Sequence, residues 1–330
     1  MPNAIRLRVP AALLALLAPL ALHSAPTGAA QPVSYPERPV RFVLGFPAGG
    51  ASDILGRAVA QHMTAHLGQQ FVVDNRPGAT GIIASDMAAR STPDGYTMLL
   101  VSSSYTNNAI LRRKLPFDAA KDLVPVAKVA MVPNIAVVPP SFPAKTVREL
   151  LDQARARPGQ INYASGGPGT GTHLGTELLK LMAGVDFVHI PYKGTPPALV
   201  DLMAGRIQLM LAGAPPTLPH VRTGKLRAIA VTSARRSPSL PDVPAVAETV
   251  PGYEATTWYG VLVPAGTPQQ RIERLNAALG TALKAPEVVA VLEKAGFETD
   301  HSTPAGLSDY MREETAKWSK VVKAANITPN

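Results

Sequence analysis

The chain has 330 residues, 46% hydrophobic and 17% charged, with a formal net charge of +9 and a pI near 9.8, so it has room for two domains with ample core. Aromatics make up only 5%, and basic residues are scattered apart from the short clusters Arg112-Arg113-Lys114 and Arg235-Arg236; both facts argue against a nucleic-acid partner, whereas a diffuse positive field suits small anions. The absence of cysteine excludes disulfides, thiolate metal sites, cysteine nucleophiles and lipoprotein acylation.

Arg6 and Arg8 precede an apolar run from Val9 to Leu22, and Gly28-Ala29-Ala30 offers small residues for cleavage. Residues 1–30 read as a secretory signal peptide. Its removal takes away two basic residues and no acidic one, leaving about +7. No later segment reads as a membrane span, so an exported protein without stable membrane insertion is expected.

A strand at Val40–Leu44 runs into Phe46-Pro-Ala-Gly-Gly-Ala-Ser-Asp53. A helix pattern follows, with Ile54, Leu55, Ala58, Val59, Met63 and Leu67 near one face and Ser52 or Asp53 as its cap. A glycine turn at a helix N-terminus suits an anion, because the first helical N–H groups lack intrahelical partners and carry the positive end of the dipole. The turn matches neither the Walker A nor the dinucleotide fingerprint, and no cofactor or metal is expected. It reads as a carboxylate site.

Further strands are expected at Gln70–Asp74 and Tyr96–Val101, with a helix at Ile82–Ala89 between them. Ser102 to Asn108 reads as a hydroxyl- and amide-rich loop, with Ser102 and Ser103 on the same rim as the first turn. Leu115 to Pro143 reads as a proline-rich crossover, its apolar runs broken at Pro133. Thr146 and Glu149 form a capping box for a helix to Arg157. The opening pattern then recurs: a strand at Ile161–Ala164, the loop Ser165-Gly-Gly-Pro-Gly-Thr-Gly-Thr172, and a helix from His173 to Ala183. Strands follow at Val185–Ile190 and Arg206–Leu211, separated by a helix capped by Thr195. Gly213 to Pro219 reads as a loop. Leu226–Thr232 and Thr257–Val263 read as strands, and three helices close the chain: Thr267 to Lys284, Pro286 to Lys294 and Pro304 to Ala325. Those helices are expected to pack on the first lobe. This gives a signal peptide at 1–30, a discontinuous first lobe at 31–130 plus 257–330, and a second lobe at 131–256.

Two glycine-hydroxyl loops on separate lobes suggest a ligand gripped from both sides. The N–H groups of Gly166, Gly167, Gly169 and Gly171 and the hydroxyls of Ser165, Thr170 and Thr172 are the expected donors. His173 is a candidate donor at the helix start, Asp53 a brace or contact, and Tyr192 and Lys193 stand on the rim.

Eight short motifs carry a resemblance. They include Phe46-Pro-Ala-Gly-Gly-Ala-Ser-Asp, Asn75-Arg-Pro-Gly-Ala, Lys114-Leu-Pro-Phe-Asp, Pro158-Gly-Gln-Ile-Asn-Tyr-Ala-Ser, Val188-His-Ile-Pro-Tyr-Lys-Gly and Trp258-Tyr-Gly-Val. In order, over nearly the whole mature chain, they resemble the Bug family, the solute-binding receptors of tripartite tricarboxylate transporters. The resemblance implies an α/β type II periplasmic binding protein fold, with two α/β lobes, parallel-rich sheets, two crossovers and an interlobe cleft. It further implies a periplasmic, non-enzymatic receptor for a small carboxylate, with integral membrane transporter subunits as partners; a monomer is expected. Ligand contacts carried over are Ala48, Gly49, Gly50 and Asp53 from the first loop, and Ser165, Gly166, Thr170, Gly171, Thr172 and His173 from the second; Phe46 is a further candidate ligand contact. Two departures stand out: Leu211-Ala212 where many members have Phe-Asp, and Tyr105 where many have histidine. Without an acid at Ala212, the expected ligand carries no positive group and is a dicarboxylate or aromatic carboxylate. The competing reading is an exported serine-type hydrolase, with Ser103 or Ser165 as nucleophile and His173 or His189 as base, although no Gly-x-Ser-x-Gly elbow is present.

Overall fold

Short apolar runs alternating with amphipathic stretches build two α/β halves joined by long strands. A computed structural model describes Ala4, residues 35–112 and residues 114–327. The signal-peptide expectation lies, apart from Ala4, outside the described residues. The first half opens with β1 (Val40–Leu44), α1 (Ala51–Leu67), β2 (Phe71–Asn75), α2 (Ile82–Ala89), β3 (Thr97–Ser102) and α3 (Ser104–Leu111). Next come β4 (Leu123–Val138), α4 (Val147–Ala156), β5 (Asn162–Ser165), α5 (Gly171–Ala183), β6 (Val188–Pro191), α6 (Thr195–Met203), β7 (Leu209–Gly213), α7 (Ala214–Arg222) and β8 (Arg227–Val231). The chain returns through β9 (Thr256–Pro264) and ends with α8 (Gln269–Ala282), α9 (Pro286–Lys294), β10 (Glu298–Thr299) and α10 (Pro304–Ala324).

The main strand order is β2-β1-β3-β9-β4-β7-β5-β6, with β8 and β10 also paired to β4. β1 runs parallel to β2 and β3, and β5 runs parallel to β6 and β7. Parallel strands place the turns that follow β1, β3, β5 and β7 along common rims, where ligands of such sheets bind.

β4 is the spine. It pairs with β9 as far as Pro133 opposite Thr256, then with β7 from Asn134 opposite Gly213. The break expected at Pro133 does not occur. Pro133 is tolerated because its missing N–H falls where the strand changes partners. Two irregularities in the β4–β9 register, around Val126 and Val129, bend the strand further.

Two helices depart from expectation. The segment of α3 reads as a loop because Ser, Thr and Asn compete with helical hydrogen bonds. Here Ser104, Thr106, Asn107 and Asn108 are all buried, so tertiary packing overrides that preference. The segment of α7 also reads as a loop. Pro215 and Pro216 occupy its first turn, where missing N–H groups cost nothing.

The tail is shared between the halves. Leu307 of α10 lies in a cluster with Val43, Leu99 and Trp258, whereas Trp318 and Val322 lie in a cluster with Tyr163, Leu174 and Leu179. The expectation that the closing helices pack wholly on the first lobe therefore does not hold for the end of α10. Among the described residues, no single helix is long and apolar enough to cross a membrane.

Candidate functional site

The two glycine turns face each other across a cleft between the halves. About 520 Å3 of open space, mouth included, is lined by Phe46, Ala51 and Ser52 on one side and by Gly166, Gly171 and Thr172 on the other. Ser102, Asn134, Thr257 and Tyr259 form part of the floor, and Gly194, Thr195 and Gly213 complete the far wall. None of the sixteen lining residues is charged.

Helix starts decide which donors are open. α1 begins at Ala51 with Gly50 as N-cap, not at Ser52 or Asp53 as expected. Asp53 instead turns back, accepting from Gly49 N at 3.0 Å and from Arg57 Nε at 2.9 Å. Burial pushes the Asp53 carboxyl up, but the bonds from Arg57 and Gly49 outweigh it and hold the group below the usual carboxylate range. Gly50 N donates to Pro47 O, so the expected donors Gly49 and Gly50 are both occupied. Ala48 and Gly49 lie exposed on the outside of the turn. Among the described residues, the N–H groups of Ala51 and Ser52 have no acceptor.

α5 repeats this arrangement. It starts at Gly171, two residues before the expected position, with Thr170 as cap. Gly166 N donates to Thr172 Oγ1 at 2.9 Å, Gly167 N to Ser165 Oγ at 3.1 Å and Gly169 N to His173 Nδ1 at 3.2 Å. The Thr170 hydroxyl donates to Gly167 O, and the Thr172 hydroxyl lies 2.8 Å from it, so both hydroxyl protons are used inside the loop. Most of the expected donors thus build the turn. What remains open is the pair of N–H groups at Gly171 and Thr172, which have no acceptor among the described residues. α6 and α7 also begin at the cleft, but Pro196-Pro197 and Pro215-Pro216 remove N–H groups there.

Other expected contacts fall elsewhere. Ala212 is fully buried and points into the core. It pairs with Ile135, whereas Gly213 pairs with Asn134 one position on, and that pair faces the cleft. Tyr105 donates to Ala119 O at 2.8 Å and lines only a small recess behind Phe46. Tyr192 donates to Asp201 at 2.7 Å and borders the outer mouth. Ser103 Oγ is buried behind Gly171 without a hydrogen-bond partner among the described residues.

Ser165 and His173 lie behind the second turn rather than in the cleft. Ser165 is fully buried, with its Oγ 2.6 Å from His189 Nε2. His189 stacks between His173 and Tyr163, at centroid distances of 4.2 and 4.8 Å. Burial lowers both histidines from 6.5 to about 4, each disfavoured further by nearby Lys180 and His189 also by its neighbour His173. An unfolded chain takes up these protons near pH 6.5, whereas the folded one resists until about pH 4. Their contribution to stability is therefore complete above pH 6.5 and falls as pH drops from there toward 4. Urea midpoints measured between those limits should fall with pH, and His189→Gln should flatten that slope. An unchanged slope would remove His189 from the account.

Sequence reasoning misses Ala51, Ser52, Asn134, Thr257 and Tyr259 as cleft residues. The first two are visible as the residues after Gly50, but a helix cap placed at Ser52 or Asp53 hides their open amides. The last three sit on β4 and β9, and no local signal marks which face of a crossover strand meets a ligand.

Residues 55–327 match the sequence profile described as "Tripartite tricarboxylate transporter family receptor". The chain belongs to this receptor family. It is 38% identical over 314 residues to Protein BugT of Bordetella pertussis, covering 93% of this chain and 96% of that one. Among solved structures it is similar to R. palustris Rpa4515 with adipate, at a TM-score of 0.87 and 37% identity, covering 90% of this chain and all of that one. It is also similar to MatC (Rpa3494) from Rhodopseudomonas palustris with bound malate, at a TM-score of 0.82 and 31% identity, covering 87% of this chain and all of that one. The two α/β halves and crossing strands are thus those of the periplasmic binding proteins of the tripartite tricarboxylate receptor family, a family of substrate-binding receptors.

Proposed function

We propose that this protein is an exported, periplasmic receptor that captures a small carboxylate in the cleft and delivers it to membrane subunits of a tripartite tricarboxylate-type transporter. The observation that carries this reading is the meeting of two helix N-termini, from opposite halves, in a cleft without charged side chains. Ala51, Ser52, Gly171 and Thr172 offer N–H groups with no acceptor among the described residues. Each charge-assisted hydrogen bond contributes ~1.5–3 kcal/mol, so four supply roughly 6–12 kcal/mol before the costs of association. Micromolar binding needs ~8 kcal/mol, so a cationic side chain is not required. The two halves act as lobes, near the division expected at 130 and 257, hinged where β4 and β9 cross. Exchange of ligand needs these two strands to flex and the end of α10, which packs on the second half, to follow, and the receptor works as a monomer.

The ligand is a dicarboxylate or aromatic carboxylate without a positive group. Support for this comes from the lining as a whole, which offers no acid to an ammonium. Relatives that bind adipate and malate fit the same reading. A thermal-shift screen followed by calorimetry tests it. Saturation at a hundred times Kd stabilises the folded state by about 2.7 kcal/mol, which a melting curve resolves. Binding of amino acids alone would overturn the ligand class.

The Ser165–His189 bond is the one feature that favours the hydrolase reading. It lies behind the loop and off the cleft, and among the described residues His189 has no carboxylate hydrogen-bonded to its other ring nitrogen. We expect no ester hydrolysis that disappears in Ser165→Ala.

A further inference from the structure

Outside the inner cleft lies a wider chamber of about 1030 Å3, mouth included. The two spaces adjoin, sharing Phe46, Pro47 and Gly166 as lining residues. The chamber walls are mostly apolar, with Pro77, Ile83 and Pro168 beside the shared residues. Two cations complete it. Arg112 follows the end of α3 in the first half, and Lys193 stands in the turn before α6 in the second. Among the described residues, none that lines the space is acidic.

Several surface arginines of this chain hold carboxylates: Arg57, Arg76, Arg90, Arg206 and Arg236 each have an aspartate or glutamate partner. Arg112 and Lys193 make no ion pair and no side-chain hydrogen bond among the described residues. Two cations without carboxylate partners, on opposite lips of an apolar channel, repel one another when the lips approach. An anionic group between them removes that repulsion.

A strained turn holds the same lip. Ala79 and Thr80 have φ of 45° and 53°, a region that side chains other than glycine rarely adopt. Asn108 of α3 pins this turn, donating to Thr80 O at 3.1 Å, with its Oδ1 also 3.1 Å from Thr80 Oγ1. The lip that carries Arg112 is therefore held in place against the chamber.

We propose that Arg112 and Lys193 form a distal anion subsite. It takes the second carboxylate of a linear dicarboxylate whose first carboxylate sits at the N-termini of α1 and α5, with the spacer along Phe46 and Pro47. This rests on the carboxylate-receptor reading above and narrows it, from a dicarboxylate or aromatic carboxylate to an extended dianion. Two partly exposed ion pairs together favour a dicarboxylate over the monocarboxylate of equal length by about five- to tenfold.

The test is calorimetry on the full mature chain, with dicarboxylates from succinate to suberate and the matched monocarboxylates from butanoate to octanoate. The readout is the ratio of the two affinities at each length, within one protein, so that any general loss in a variant cancels. The wild type should show its largest ratio at one chain length, shrinking with added salt. In Arg112→Gln/Lys193→Gln the ratio should fall below about twofold. A ratio that survives in the double variant, or no preference for dicarboxylates in the wild type, overturns the subsite and leaves the receptor reading standing. Failure of both acid series to bind folded wild-type protein overturns the subsite, and failure of benzoate and phthalate as well overturns the receptor reading.

Discussion

Ala51→Pro should weaken carboxylate binding by about ten- to a hundredfold while leaving the fold nearly as stable as before. Ala51 is the first residue of α1, and its N–H has no acceptor among the described residues. The first helical position accepts proline readily, because its N–H makes no helical bond and its φ is already suitable. The preceding residue must be extended, and Gly50 is, at φ −79° and ψ 172°. The bonds that hold the turn, from Gly50 N to Pro47 O and from Asp53 N and Ile54 N to Gly50 O, do not involve the Ala51 amide. The substitution therefore deletes one donor from the cleft without breaking the helix that presents it. The missing charge-assisted bond corresponds to about 1.5–3 kcal/mol of affinity. Ala51→Gly, which keeps the N–H, is the control and should bind within a few-fold of wild type. Equal affinity in Ala51→Pro and Ala51→Gly would mean that the carboxylate does not sit at α1.

Gly171→Ala should cost about 2 kcal/mol of affinity, roughly thirtyfold, and Thr257→Ala should restore part of it. Gly171 opens α5 from the second half, while Ser103 and Thr257 belong to the first half and to the returning strand. A Cβ on Gly171 would lie 2.6 Å from Thr257 Oγ1 and 3.1 Å from Ser103 Oγ. Thr257 is β-branched, and both residues are buried, so neither side chain has free space to turn into. The strain arises only where the two halves meet. It should appear as weaker binding and a more open average shape in small-angle scattering, with little change in the unfolding midpoint. Thr257→Ala removes the nearest atom and should restore closure. Loss of stability in Gly171→Ala equal to its loss of affinity would show that the contact supports the fold as a whole rather than the closed cleft.

Much of the architecture is legible along the chain. Strand, turn and helix alternate with clear periodicity from Val40 to Leu67 and again from Asn162 to Ala183, and residue order alone is enough to place both glycine turns at the cleft. α3 and α7 are not legible. One is a buried helix of hydroxyl and amide residues, and the other begins with prolines, so each carries the local chemistry of a loop while packing decides its form. The length of β4 is hidden for a similar reason. Pro133 is a strand breaker by its own chemistry and is accommodated only because β9 gives way to β7 beside it.

The site divides along the same line. The linear chain settles that two glycine turns precede helix N-termini and that no cysteine chemistry is available, because φ freedom, missing Cβ atoms and missing thiols are properties of single residues. It also carries the resemblance to tripartite tricarboxylate receptors, since short motifs in fixed order are visible without any knowledge of contacts. Only the tertiary structure decides which amides remain open. Asp53, Thr172 and His173 fold back onto Gly49, Gly166 and Gly169, and these bonds consume donors that a linear reading counts as free. Likewise, Asn134 faces the cleft and Ala212 faces the core because strand register assigns faces, and register is set by partners distant in the chain.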